Sequence, residues 1–432
     1  MAVQTQRIPA RKRRPGGRLA VLGERDFTWF FLGYATSLVG SSMAPVAVAF
    51  AVLDGEGGSG GAGGDSGGGT ALGWVMAARI LPVVLVLLAG GVIADRLGSR
   101  RVMLGSDLLR GLVQALFAGL LAAGHAPVWA MVALVALWGI GEGLFMPAFG
   151  AIVPDLVRRK ELMADANTLL GLARSVSTVV GPATAGLVTA AWGPATVLLV
   201  DAATYGVGAF ALARLRRPLR AAAGGGESMI RDVRAGWSEF TSRPWLWITT
   251  VQMGLFNLLV WAPFLVLGPL LAQRDLGGAR AWGLVMGGYG AGAVLGGLLL
   301  LGRTPARPLA VASVAALAWA LPSGVLAAGA GLPWVVAGAL VAGAGSAVCG
   351  TLYNTTTQKW VPVELLGRMT AFGVLGSFAL GPLGLAAAGP LAGRFGADAV
   401  LLLGAVWQLA AGAVVLAVPA VRNRRWEEGP DS

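Results

Sequence analysis

Residues 90–103 read GGVIADRLGSRRVM, and long apolar runs flank them on both sides. Asp95, Arg96, Arg100 and Arg101 crowd into this turn between segments that otherwise avoid charge. The chain is 56% hydrophobic and 12% charged, against roughly 25% charged in an ordinary soluble domain. In such a chain a tight charge cluster marks a place where the polypeptide leaves lipid and turns back.

A bilayer-spanning helix needs about 20 mainly apolar residues. Twelve runs qualify, at approximately 27–53, 71–94, 102–123, 128–153, 163–190, 195–212, 245–271, 281–301, 309–328, 332–353, 370–391 and 397–418. None shows the period-two alternation of a barrel strand, so each satisfies its backbone internally as a helix. The expected fold is an all-α membrane protein. Its parts are a basic tail (1–26), a six-helix bundle (27–213), a central loop (214–244), a second six-helix bundle (245–419) and a short tail (420–432).

The net charge of +12 follows the membrane and does not form a nucleic-acid patch. With the N-terminus cytoplasmic, 27 of the 33 Lys and Arg fall in loops and tails on that side, while only Arg274, Arg280 and Arg394 fall on the other. That bias is the positive-inside rule and predicts both termini in the cytoplasm, with the opening RKRRPGGR as a headgroup-level anchor. The first apolar run is too long for a cleavable signal peptide. Cys349 and His125 each stand alone in the chain, so neither an intrachain disulfide nor a Cys- or His-rich metal site is expected.

Two low-complexity segments punctuate the order. DGEGGSGGAGGDSGGG, residues 54–69, reads as a flexible external linker. Its chance G-x-G-x-x-G follows no strand and carries no nucleotide-binding meaning. In the central loop Ile230, Val233, Trp237 and Phe240 recur at helical spacing, which predicts an amphipathic helix on the membrane surface or across the halves. The two bundles are related. Glu161-Leu162 matches Glu364-Leu365, Gly181-Pro182 matches Gly381-Pro382 and Gly193 matches Gly396, at separations of 203, 200 and 203. Parallel six-helix repeats are the architecture of a rocking transporter with its site between the halves near the midplane.

Gly91, Asp95, Arg96, Gly98, Arg100 and Arg101 between helices two and three resemble the signature loop of the major facilitator superfamily. Gly98 permits a tight turn, the arginines hold the loop at the headgroups, and Asp95 can sit against helix N-termini on that side. FLGYATSLVG, MPAFGAIVPDLV, ADANTLL, GPATAG and LGRMTAFGVLGSFALGPLG extend the likeness over nearly the whole chain and resemble the enterobactin-exporter and macrolide-efflux branch. The resemblance implies export of a small amphipathic compound, siderophore, macrolide or other drug-like molecule, driven by an ion gradient, usually protons. It implies no cofactor. The expected partners are that small molecule and the bilayer, with no nucleic acid and a monomeric protein.

Leu137 stands where other drug antiporters carry an arginine in helix four, so their proton mechanism does not transfer directly. Gly181, Pro182 and Gly186 resemble the antiporter motif of helix five, with Ala185 replacing its first paired glycine. Pro182 is expected to bend that helix, and the glycines to admit a close neighbour. The stripe Gly288, Gly292 and Gly296 in helix eight offers a match across the halves.

Charged residues inside spans are the site candidates, because burying them costs about 2.5–3.5 kcal/mol even on insertion scales. They are Arg79, Asp107, Arg110, Glu142, Arg174 and Asp201. Asp107 and Arg110 are placed to pair with each other or with the Asp95 loop. Asp201 is expected near the external surface and solvated, and Arg79 either snorkels or lines a cavity. Glu142 and Arg174 share a depth by residue count and are expected to form an intramembrane ion pair. In the resembled family helices one, four, seven and ten surround the cavity. Tyr34, Ser37, Ser41, Trp138, Gln252, Asn257 and Trp261 are therefore candidate wall residues, although Ser37 and Ser41 can equally bond their own helix.

A polytopic membrane enzyme would need clustered carboxylates or a histidine at headgroup level, and the external loops hold only scattered Asp and Glu. A transporter-like sensor or scaffold would usually carry a sizeable soluble domain. No G-x-x-x-x-G-K-[ST] string points to ATP drive. The expected function is a secondary active exporter, and not an enzyme.

Overall fold

The computed structural model describes residues 20–57, 66–157, 159–215, 237–238, 240–303, 305–361 and 363–426, with the side chains of a few further positions, Asp95 among them, outside the description. Ile230 and Val233 of the expected surface helix also lie outside it. The first bundle is α1 (Arg25–Gly57), α2 (Ser66–Leu97), α3 (Ser99–Ala122), α4 (Val128–Leu156), α5 (Met163–Trp192) and α6 (Pro194–Ala213). The second opens with α7, Pro244–Leu276, whose segments Asn257–Trp261 and Ala272–Leu276 are π-helical. It continues with α8 (Ala279–Leu299), α9 (Pro308–Ala327), α10 (Leu332–Trp360), α11 (Val363–Phe378 and Gly381–Phe395) and α12 (Ala397–Ala417).

Eleven helices among the described residues are long and apolar enough to cross a membrane, and α5 is not among them. The exception has a packing cause. α5 gives small and polar residues to α1 and α8 and points Arg174 into a cavity, and these lower the hydropathy of the helix although Leu172, Val176, Val180 and Leu187 remain exposed. Other helices carry more continuous apolar stripes. Leu108, Leu112 and Leu116 line one exposed stripe of α3, as Leu402, Leu403 and Val406 do on α12. Exposed apolar stripes of that extent are costly in water and ordinary in lipid.

The turns repeat as the helices do. Gly193 and Gly396 enter α6 and α12 at φ values of +81° and +87°, a region closed to most side chains. Gly98 takes φ +85° between α2 and α3, the tight turn its sequence predicts. The Gly-Pro pairs diverge. α5 runs unbroken through Pro182, whereas Gly381-Pro382 interrupts α11 after Phe378.

The glycine stripe of α8 is corrected by the structure. Gly288, Gly292 and Gly296 face Val336, Leu340 and Ala344 of α10 in the same half. The crossing to α5 is made instead by Gly283, Gly287 and Gly290, against Pro182, Gly186, Ala183 and Thr178. A Cβ on Gly186 would stand 2.5 Å from the Ala279 carbonyl oxygen and 2.8 Å from Gly283 Cα, so the backbones meet directly. Gly181 serves a different neighbour, Ser42 of α1. α8 carries glycines on more than one face, and only the azimuth of the packed helix selects which of them meets α5.

The buried apolar residues show how the halves are arranged. One cluster joins both halves through the end of the molecule away from the basic loops, uniting α1, α2, α7, α8 and α11. At the basic end the core splits into two. One part, around Phe27, Phe30, Ile152 and Leu156, belongs to the first half, and the other, around Trp245, Trp360 and Phe240, to the second. The halves close on the end opposite the basic loops and part at the basic end.

Candidate functional site

Two cavities lie in the two halves. The first, about 330 Å³, is lined by α1–α6 and receives Tyr34, Ser37, Ser41, Arg79, Arg110, Trp138, Glu142 and Arg174, all singled out in the sequence. Phe145, Phe149 and Tyr205 complete it and were not legible there. An aromatic residue in an apolar helix carries no sign of facing a cavity.

Glu142 does not pair with Arg174. Its carboxylate takes Arg79, which approaches with Nε 3.0 Å from Oε2 and Nη2 3.1 Å from Oε1. α2 and α4 pack face to face, with the Arg79 backbone against Gly139, and that contact carries the arginine one turn from Glu142. The Arg79 guanidinium also lies 4.2 Å over the Trp138 ring. Arg174 shares the cavity, but its Nη2 donates to the Tyr34 hydroxyl at 3.4 Å. Both groups face one space. Helix rotation decided the partner.

Behind this pair runs a chain of neutral hydrogen bonds. Trp138 Nε1 donates to Tyr205 Oη at 2.9 Å, Tyr205 Oη lies 2.9 Å from Ser41 Oγ, and Ser41 Oγ donates to the Ser37 carbonyl at 2.7 Å. Ser41 thus bonds its own helix and faces the cavity at once. Asp107 and Arg110 form the expected ion pair, both buried. The Arg110 guanidinium sits 4.4 Å from both the Phe145 and the Tyr205 rings, which shields it and directs it at the cavity. Asp201 is not solvated. It is fully buried, accepts from Gln114 Nε2 at 2.9 Å, and packs against Gly40 because α6 turns that face toward α1 and α3.

In the signature loop, Gly91 and Asp95 lie in the last turns of α2, and the Asp95 side chain is outside the description. Arg96 and Arg101 are exposed. Arg100 is not a headgroup anchor alone. Its Nε and Nη2 donate to the carbonyls of Leu212 and Ala213 at 2.9 and 2.8 Å and cap the end of α6. A cation there also meets the negative end of the helix dipole.

The second cavity, about 420 Å³, lies in the C-terminal half and takes Gln252, Asn257 and Trp261 from α7. Tyr289, Trp319, Ser346, Ser377 and Gln408 join them. The π-helical segment Asn257–Trp261 is held from outside, because Asn257 Nδ2 donates to Met253 O and to Ser377 O, each at 3.0 Å. Ser377 offers that carbonyl where α11 breaks before Gly381. Gln408 was missed, although an amide in the otherwise apolar run of α12 carried the signal. A smaller apolar pocket of about 130 Å³ between the halves touches Arg79, Pro182, Trp282 and Leu385.

Similarity to known proteins agrees with this geometry. The chain is 28% identical over 413 residues to the multidrug efflux pump Tap of Mycobacterium tuberculosis, covering 91% of this chain and 94% of that one. To macrolide efflux protein A of Streptococcus pyogenes it is 24% identical over 403 residues, with coverage of 91% and 94%. The fold resembles a peptide transporter of the POT family solved with sulfate (TM-score 0.69, 14% identity, 92% and 95% covered). It also resembles a bacterial homologue of the human lysosomal transporter Spinster in an inward-facing, unoccupied conformation (TM-score 0.64, 14% identity, 93% and 98% covered). Residues 17–429 match the family described as transmembrane secretion effector. With twelve helices in two related bundles around paired cavities, the chain belongs to the transmembrane secretion effector family of the major facilitator superfamily, as a multi-pass membrane transporter and not an enzyme.

Proposed function

We propose that the protein exports a small amphipathic compound, of siderophore, macrolide or other drug-like character, by ion-coupled alternating access. The observation that carries this reading is the pair of cavities, one in each half, with unlike walls. One chamber presents Arg79, Arg110, Arg174 and Glu142, and the other is an uncharged aromatic chamber. A solute with both polar and apolar parts is the class that such walls complement. Efflux is the activity named for Tap and macrolide efflux protein A.

The distribution of basic residues supports a cytoplasmic location for both termini. The parting at the basic end is then the inward-facing state, ready to load from the cytoplasm. The driving gradient is proposed to be protonic, with Glu142 as the group whose protonation releases Arg79. The working unit is a monomer in the cell membrane, with no cofactor and no nucleic-acid partner.

The test is accumulation of a panel of siderophores and antibiotics in cells with and without the protein, each with and without a proton uncoupler. Lower accumulation that the uncoupler restores is expected for at least one compound. Equal accumulation of the whole panel would overturn the export reading, and export insensitive to the uncoupler would overturn proton coupling.

A further inference from the structure

The cavity of the C-terminal half differs in kind from its counterpart. Among the described residues no Asp, Glu, Lys, Arg or His lines it. Trp261 stands edge to face with Trp319 at 4.8 Å, Tyr289 is tilted against Trp319 at 5.2 Å, and Trp319 Nε1 is used up by Ser346 Oγ at 2.6 Å. Asn257 spends its amide hydrogens on the scaffold. Gln408 does not spend its oxygen.

Gln408 lines this cavity and is only 2% exposed. Its Nε2 donates to the Ala316 carbonyl oxygen at 2.7 Å. A carbonyl can only accept, so that contact fixes which end of the amide is nitrogen and which is oxygen. Oε1 is then a buried acceptor with no hydrogen-bond partner. Buried acceptors left unmatched are rare in folded proteins. Where one borders an apolar cavity with few placed polar groups, the missing donor belongs to a ligand.

We infer that the C-terminal cavity is a subsite for the uncharged, ring-bearing part of the substrate, and that Gln408 Oε1 accepts a hydrogen bond from a neutral hydroxyl or amide N–H on that part. The assignment rests on the transporter reading and deepens it by dividing the substrate between the chambers. Gln408 becomes a specificity residue on α12, since a site built to hydrogen-bond a group rejects the analogue that lacks it.

Cys349, the chain's single cysteine, lines the same cavity and is half-buried, so it reports occupancy without any transport assay. Purified full-length protein is alkylated with N-ethylmaleimide in the presence of 2-naphthol, 2-methoxynaphthalene or 2-naphthoate. These share one ring and present a neutral donor, no donor and a negative charge. 2-Naphthol is expected to protect Cys349 at roughly fivefold lower concentration than 2-methoxynaphthalene, the scale of one neutral hydrogen bond, with 2-naphthoate the weakest. Gln408→Met should erase the naphthol advantage and leave protection by 2-methoxynaphthalene in place.

Equal protection by 2-naphthol and 2-methoxynaphthalene in the parent protein overturns the assignment without reference to any variant. So does a naphthol preference that survives Gln408→Met. The readout is binding to isolated protein, so its failure leaves export in cells standing, and failure of export leaves the subsite standing.

Discussion

Arg79 on α2 and Glu142 on α4 meet as a two-pronged ion pair while the guanidinium rests on the Trp138 ring. Their side chains remain 25% and 29% exposed, so the pair faces the cavity and is not sealed behind it. A fork-to-carboxylate contact over an aromatic face holds the arginine in one place. Removing the negative charge frees it. Glu142→Gln is therefore expected to let substrate equilibrate while abolishing accumulation against a gradient, and Arg79→Gln to lose most transport. The exchanged pair, Arg79→Glu with Glu142→Arg, should restore expression but not coupling. Transport by the single variants equal to the parent would show that the pair is structural only.

Arg174 presents its guanidinium to the same cavity, where it donates to the Tyr34 hydroxyl at 3.4 Å. One long hydrogen bond from an exposed side chain adds little stability, so Arg174→Gln should leave the unfolding midpoint of the purified protein nearly unchanged. Efflux of a carboxylate-bearing dye should fall several-fold while efflux of a neutral analogue holds. Parallel loss for both dyes would remove Arg174 from recognition.

At the α5–α8 crossing a Cβ on Gly283 would lie 2.7 Å from the Pro182 carbonyl oxygen and 2.8 Å from Gly186 Cα. Backbone cannot yield as a flexible side chain can, so Gly283→Val should cost about 1–3 kcal/mol and lower the thermal midpoint by several degrees. Gly105→Ala, where a Cβ meets nothing within 4 Å, is the control and should match or exceed the parent. Thermal unfolding of detergent-purified protein reads both.

Arg100 ties α3 to the end of α6 through the carbonyls of Leu212 and Ala213. Arg100→Gln should destabilise by about 1 kcal/mol, the lower range for charge-assisted bonds because the group is partly exposed. Arg96→Gln, at an exposed site one turn away, should have a smaller effect. Equal shifts in unfolding midpoint would mean that the cap contributes nothing beyond charge.

Orientation is open to a direct measurement. In a variant with Cys349→Ala, a cysteine at His125 should react with an impermeant thiol reagent added to intact cells, and one at Asn423 should not. His125 lies in the α3–α4 turn and Asn423 beyond α12, both exposed and at opposite ends of the bundle. The reverse labelling pattern would invert the topology and turn the open end outward.

Helix number, the six-plus-six repeat and the tight turn at Gly98 followed from the sequence alone. These depend on local quantities. Run length sets what can cross lipid, 1.5 Å per residue sets depth, and the Gly193–Gly396 correspondence survives because a positive φ demands the same residue in both halves. What the sequence could not determine was azimuth. Glu142 and Arg174 were placed at one level and do face one cavity, yet Glu142 bonds Arg79, because the rotation of α4 against α2 is set by the Gly139–Arg79 backbone contact. The rotation of α8 turned Gly288, Gly292 and Gly296 toward α10 and left the crossing to α5 to Gly283, Gly287 and Gly290. Those of α6 and α12 buried Asp201 against Gln114 and brought Gln408 to a cavity in the second half. In lipid no periodic polar face records which side of a helix looks inward, so rotation is decided only when all twelve helices pack together.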